Sequence, residues 1–286
     1  MRNIATITWL TFHEAWRRWM VVIALALGVL FVALYALGLA FVLEESQKSL
    51  ANAGVRRPPA AIEEQGADFL LLAGMYVVHF LTVMLAIFAA IDAVSGEIGS
   101  NTIQAIATKP IGRWQIILGK WLGYSGMLIV YVGLLTGGIM LAISRLLNYT
   151  PPNVLPAFGI LALEALSLLS LSLLIGTRLS ALTNGVLLFM LYGIAFVGSW
   201  IAQIGSIPQL HAKAAVDLGN ATALLLPVEA LWRLASYQLQ PPLLHGQFNS
   251  PFASLDVPDE GIIYYAATYA VVMLALAIWS FSRRDL

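Results

Sequence analysis

Few side chains in this chain could do chemistry, and the foremost stands where an ion is out of place. Glu164 is the one carboxylate inside six long apolar stretches that otherwise exclude Asp, Glu, Lys and Arg. A charge at the centre of a bilayer costs on the order of 2.5–3.5 kcal/mol on insertion scales and marks a functional candidate. Counting from Phe158, Glu164 falls about two turns from the outer edge of its stretch. There it reaches up to the interface, keeps its proton, or bonds Ser167 one turn on. Leu168 and Leu171 close that face, so the polar stripe is short. Glu164 and Ser167 are the candidate pathway residues. Met75 and His79 stand one turn apart in another stretch. A thioether and an imidazole suit copper, but two ligands do not complete a site and Met is ordinary filler in apolar helices. No stretch carries H-E-x-x-H or a set of acids and bases. No catalytic residue, metal site or resident cofactor is expected.

The elements that must position these residues are set by the solvent. The apolar runs Met20–Leu43, Phe69–Ile91, Trp121–Ser144, Phe158–Thr177, Leu179–Ile207 and Ile262–Phe281 match the roughly 20 residues that cross a hydrocarbon core of about 30 Å. The chain is 60% hydrophobic and 10% charged. Its net charge of zero gives nucleic acid nothing to bind, and the absence of cysteine excludes disulfides and thiolate metal sites. The run from Met20 is longer than the 7–15 residues, about, of a signal-peptide core and reads as an uncleaved first span. The expected fold is an all-α membrane protein with six spans at about 20–43, 69–91, 121–144, 158–177, 182–205 and 262–281, in one transmembrane domain over 1–286.

Basic residues set the orientation. With the N-terminus inside, the inner segments hold Arg2, Arg17, Arg18, Lys109, Arg113, Lys120, Arg178, Arg283 and Arg284, nine of the fifteen. Both termini are then cytoplasmic. Most acids, Glu229 among them, fall in outer segments. Residues 1–19 read as an amphipathic interfacial elbow, with Trp9, Phe12, Trp16 and Trp19 on one face and Arg17 and Arg18 beside it. Gly133 and Gly137 form a small-xxx-small pair that marks close helix packing. The outer segment 208–261 is the longest connection. Its run Leu218–Val228 is too short to span, and Pro227 starts a helix through Tyr237. A surface-lying or re-entrant helix over the outer mouth is expected.

The most informative polar stretch is 92–120. Ser100 or Asn101 caps a short helix at 102–108, Pro110 ends it, and Lys109 is held extended. A second helix starts near Gly112. A stiff corner facing the cytoplasm passes the motion of a partner on to the spans. Gly112 to Lys120 is no phosphate-binding loop, because its spacing is wrong and Trp121 stands where Ser or Thr is needed. Any ATP is held by another subunit.

Glu97, Thr102, Ile103, Pro110, Arg113, Gly119 and Lys120 follow the order and spacing of the coupling segment in permease subunits of ABC type-2 exporters, which this chain resembles. Asn101 departs from the Gly usual before the Thr, a turn position that Asn tolerates. Leu226-Pro227-Val228-Glu229-Ala230-Leu231-Trp232-Arg233 is similar to the stretch before the sixth span in the subgroup related to multicopper-enzyme maturation permeases. The resemblance implies a multi-pass protein of a prokaryotic cell membrane that pairs with a second permease copy. Separate cytoplasmic ATPase subunits would hold ATP and Mg and dock on Glu97, Asn101, Thr102, Lys109, Pro110, Ile111 and Arg113. It implies transport, most simply export. The alternative is mechanical transmission of ATP energy to an extracytoplasmic accessory protein, such as a metal-centre maturation factor, with nothing crossing. Lys109→Glu or Pro110→Gly is expected to weaken ATPase docking or to separate turnover from permease motion. Unchanged binding and turnover in both variants would remove the coupling role.

Overall fold

Inside a bilayer each backbone N–H and C=O must find its partner within the protein, so apolar runs of this length close into helices. A computed structural model of the chain describes residues 2–17, 19–52, 60–91, 112–207, 212–245, 251–253 and 259–283. Those residues form α1 (Arg2–Arg17), α2 (Trp19–Asn52), α3 (Ala60–Ile91), α4 (Arg113–Leu146), α5 (Val154–Gly176), α6 (Ala181–Gly205), α7 (Lys213–Leu225), α8 (Val228–Leu239) and α9 (Gly261–Ser282). No strand occurs among them. Helices α2, α3, α4, α5, α6 and α9 are long and apolar enough to cross a membrane. Arg18 and residues 92–111 lie outside the described residues. With them lie Glu97, Asn101, Thr102, Lys109, Pro110 and Ile111, and the expected 102–108 helix with its corner.

The helices outrun the apolar stretches. α2 continues to Asn52, where Lys48 pairs with Glu44 one turn back at 2.7 Å. α3 begins at Ala60 rather than Phe69, and α5 at Val154 rather than Phe158. Hydrophobicity reports the thickness of the lipid, whereas a helix ends where its backbone bonds end, and these helices project beyond the apolar layer. Helix α4 follows directly on Gly112, as its sequence leads one to expect.

The described residues of the elbow run to Arg17 in α1, and Trp19 opens α2 and stands largely exposed. α1 seats on α4 chiefly through Ile7 and Thr11. Cβ atoms on Gly119 and Gly123 of α4 would approach Ile7 Cγ2 to 2.6 Å and Thr11 Cβ to 2.7 Å. Small residues let the two helices approach this closely. Phe12 lies against Gly126, while Trp9 faces outward, stacked on His13 at 4.7 Å between ring centroids.

α5 is the axis of the bundle and is packed by α3, α4, α6, α8 and α9. At one end, termed inner from the charge asymmetry, Ser280 of α9 receives the Arg178 Nε–H at 2.8 Å and meets Thr177 Oγ1 at 2.8 Å. Arg113 donates to the Ser282 carbonyl at 3.3 Å. These bonds bring the inner ends of α4, α5 and α9 together. The Gly133/Gly137 pair does not mark the tightest crossing within the chain. Gly133 touches Phe158, and nothing lies within 4 Å of a Cβ on Gly137. The close approach is at Gly138, where a Cβ would meet Val32 Cγ1 at 2.8 Å.

Within the outer segment α7 is largely exposed, whereas α8 is re-entrant and buried. α7 folds back along α6, then the chain bends by 107° at Leu226–Pro227 and enters α8. Val228, Leu231, Leu234, Ala235 and Leu239 are buried, so α8 is a wedge within the bundle rather than a roof over it. Glycine makes the fold-back possible: a Cβ on Gly219 would meet the Ala202 methyl and come within 2.8 Å of the Gly198 carbonyl oxygen. Gly219→Ala is expected to cost about 1–3 kcal/mol through overpacking, whereas Gly137→Ala stays within about 0.5 kcal/mol. Thermal unfolding of the purified chain in detergent reads the difference; equal stabilities would contradict the α6–α7 packing.

Candidate functional site

The bend places a second carboxylate where the sequence shows only one. Glu229 occupies the first turn of α8, with its carboxylate at the positive end of that helix's dipole. From there Glu229 Oε1 lies 3.3 Å from Nε2 of His79 on α3. On the other side of the ring, His79 Nδ1 lies 3.0 Å from Glu164 Oε2 on α5. His79 and Glu164 are 0% exposed and Glu229 is 3% exposed. One imidazole thus joins two spans and the re-entrant helix. Glu164 stands ten residues into the 23-residue α5, about 15 Å along the axis. It is therefore near mid-helix, too deep for the reach to the interface that a start at Phe158 suggests.

Aromatic rings surround the imidazole. Trp232 lies 5.1 Å from the His79 ring and Tyr76 lies 5.7 Å from it, with Tyr76 and Trp232 5.3 Å apart edge to face. Ring faces of this kind favour a positive charge on the imidazole. Tyr192 of α6 turns its hydroxyl toward Glu229. Taking three ionisable groups out of water is costly unless they satisfy one another, and this arrangement does so through two charge-assisted bonds.

The bend itself is also satisfied. Non-helical backbone at membrane depth needs protein partners. The α7 carbonyls of Leu224 and Leu225 accept bonds from the Tyr265 and Tyr269 hydroxyls of α9, the second at 3.2 Å. Two tyrosines one turn apart therefore cap the broken helix.

The expected site residues fare unequally. Glu164 and His79 meet, an association that their separation of 85 positions conceals. Ser167 does not bond Glu164; its hydroxyl donates to the Leu163 carbonyl at 2.9 Å and to that of Ala266 at 3.4 Å. A serine in a helix finds its own backbone carbonyl first. Met75 is buried, and both nitrogens of His79 face carboxylates, so no thioether–imidazole pair forms. Glu229 counts as an outer-loop acid by position alone, yet it completes the cluster. Its signal is the Leu226-Pro227 break ahead of an apolar helix. The spans thus hold a set of acids and a base that inspection of each stretch separately does not reveal. The elbow residues Trp9, Phe12, Trp16 and Arg17 lie along α1 beside the head of α4, and Arg113 is the first residue of α4.

His79→Leu leaves two buried carboxylates facing one another, and a loss of about 3–5 kcal/mol is expected. Replacing all three members with Leu recovers most of that loss, because an apolar set needs no partners. Unfolding of the variants in detergent tests both statements; a single His79→Leu variant as stable as the parent would contradict the pairing.

Residues 5–286 match the family described as ABC-2 family transporter protein. A stretch of 131 residues, 46% of this chain, is 33% identical to the "Probable ABC transporter permease protein NosY" of Stutzerimonas stutzeri and covers 41% of that protein. A protein of the same description from Pseudomonas aeruginosa is 30% identical over 143 residues, 50% of this chain and 46% of its own length. The chain thus spans less than half the length of either curated relative. With six helices of spanning length among the described residues and a family match over nearly its whole length, the chain belongs to the ABC-2 transporter family and is a multi-pass protein of the prokaryotic cell membrane.

Proposed function

We propose that the chain is the transmembrane permease subunit of an ATP-binding cassette exporter, driven by hydrolysis on separate ATPase subunits. In this reading both termini are cytoplasmic, the permease works as a pair of copies, and the ATPases bind ATP and Mg and dock on residues 97–113. The chain itself is not an enzyme. The direction of transport rests on the likeness of that segment to type-2 exporters.

One observation carries the reading. α1 is seated on α4 without the space of a methyl group at Gly119 or Gly123, and α4 begins at Arg113, directly after the coupling segment. Elbow and span head therefore move as one body. A push delivered near Arg113 reaches the span instead of being absorbed in a loose joint. Close-packed interfaces shift between discrete arrangements rather than deforming continuously.

A second reading has an observation of its own. The cluster of His79, Glu164 and Glu229 fastens the re-entrant helix to two spans, which suits the transmission of motion to a partner on the outer side without cargo crossing. Vesicles carrying the permease and its ATPase separate the two: ATP-dependent flux favours export, and turnover without flux but with an outer protein bound favours transmission. In the same vesicles Gly123→Leu is expected to lower permease-stimulated turnover about tenfold, the scale of a coupling energy of 1–2 kcal/mol, roughly. Stimulation equal to the parent's would remove the elbow from the coupling path.

A further inference from the structure

The cluster lies near the inner end of a file of polar groups that begins beside Thr82 and runs to the outer end of the bundle. α8 climbs back beside α3. Glu229 at its start meets His79, and Gln240 at its end lies against Asp68, eleven residues up α3 from His79, about 16 Å. Asp68 and Gln240 are buried against one another, yet no oxygen of Asp68 and no amide atom of Gln240 completes a hydrogen bond of normal geometry. The hydroxyl of Tyr149 is likewise buried without a partner, as are Glu164 Oε1 and, one turn inward of His79, the Thr82 hydroxyl. Burial and the Asp68 and Glu64 carboxylates raise the Tyr149 hydroxyl above its ordinary pKa, so it stays a donor. Farther in, Trp121 Nε1–H donates to Ser170 Oγ at 2.9 Å, while Ser125 Oγ and Asn184 Oδ1 are buried without a partner. Buried polar groups are normally bonded to protein or to ordered water. Between α3 and α8 unpartnered ones line a path from the outer rim to mid-membrane.

The hydrogen-bond inventory at the cluster then counts protons. An ionised carboxylate only accepts, so each of the two N···O contacts of His79 needs a proton. Two protons shared among His79, Glu164 and Glu229 leave the trio with one net negative charge. The titratable groups facing it are Tyr76 on α3 and Tyr192 on α6, with Arg233 one turn along α8 and Asp68 farther out on α3; α9 faces it with Ala266, its Tyr265 and Tyr269 being engaged on α7. One member, Glu229, travels with α8.

We infer that His79, Glu164 and Glu229 form a proton-binding site reached from the outer side by a file of water between α3 and α8, and that it exchanges a proton with that side whenever α8 moves. With α8 seated, the imidazole holds a proton between its nitrogen and Glu229. When α8 withdraws, that N–H bond breaks toward a water of the file, which leaves as hydronium, and reseating takes a proton back. Nothing is oxidised and no proton crosses the membrane. The movement of α8 rests on the ATP-driven cycle proposed above; the file does not.

The chain contains no cysteine, so single cysteines report access. In sealed vesicles of the full-length chain, Thr82→Cys is expected to react with a small membrane-impermeant thiosulfonate added on the outer side, whereas Leu128→Cys, buried in α4, does not. In vesicles with the ATPase, a pH dye on the outer side is expected to report about one proton per permease on addition of ATP. That signal is lost in His79→Gln, and in Glu229→Gln should the first variant fold poorly. An unreactive Thr82→Cys overturns the file. Normal ATP turnover without the proton signal overturns proton binding. Absence of permease-stimulated turnover counts against the proposed function instead, and outer labelling of Thr82→Cys then still supports the file.

Discussion

A polar group in hydrocarbon has no water to fall back on, and the architecture follows from how each such group is answered. Most are answered inside a helix, which is why the spans are helices at all. The exceptions concentrate at one place. The bend at Leu226–Pro227 opens the backbone between α7 and α8, and the broken end is capped by Tyr265 and Tyr269. On its far side Glu229 is brought to His79 and Glu164. Without the re-entrant helix, His79 would have one acid and Asp68 no neighbour from α8. The outer half of the bundle is organised around that bend.

Two junctions of the molecule, the seat of α1 and the His79 cluster, are built on opposite chemistries. At the inner end the seat of α1 on α4 depends on the absence of side chains, at Gly119 and Gly123. Contact of this kind is stiff and apolar. At mid-membrane the links are ionic, between groups that no neighbouring lipid can satisfy. Stiff packing suits a lever, because it transmits displacement with little loss. A polar junction suits a part that must separate and rejoin, since its members retain affinity for water when parted. α5 touches both regions and joins them through the length of the bundle.

Much of this was legible in the sequence. The six spans, the elbow and the start of α4 follow from apolar runs, a repeat of aromatic residues and a glycine, all local signals. The ends of α2 and α3 were not, because hydropathy sees where lipid stops and not where hydrogen bonds stop. The face by which α1 seats on α4 was not legible either: Trp9, Phe12 and Trp16 stand out by type, whereas Ile7 and Thr11 are the residues that meet Gly119 and Gly123. Gly133 and Gly137 show the same limit, since spacing identifies small residues without saying what they touch.

By itself the sequence determined the solvent of this protein, the number of its long helices and the depth at which an ion would be costly, because each depends on composition along one stretch. Only the tertiary structure decided that Glu164 has partners and that Glu229 is among them. The three residues lie on α3, α5 and α8, up to 150 residues apart, and their meeting depends on the fold-back of α7 against α6. That fold-back turns on whether one glycine fits against another helix, a matter of close packing between remote segments on which local periodicity is silent.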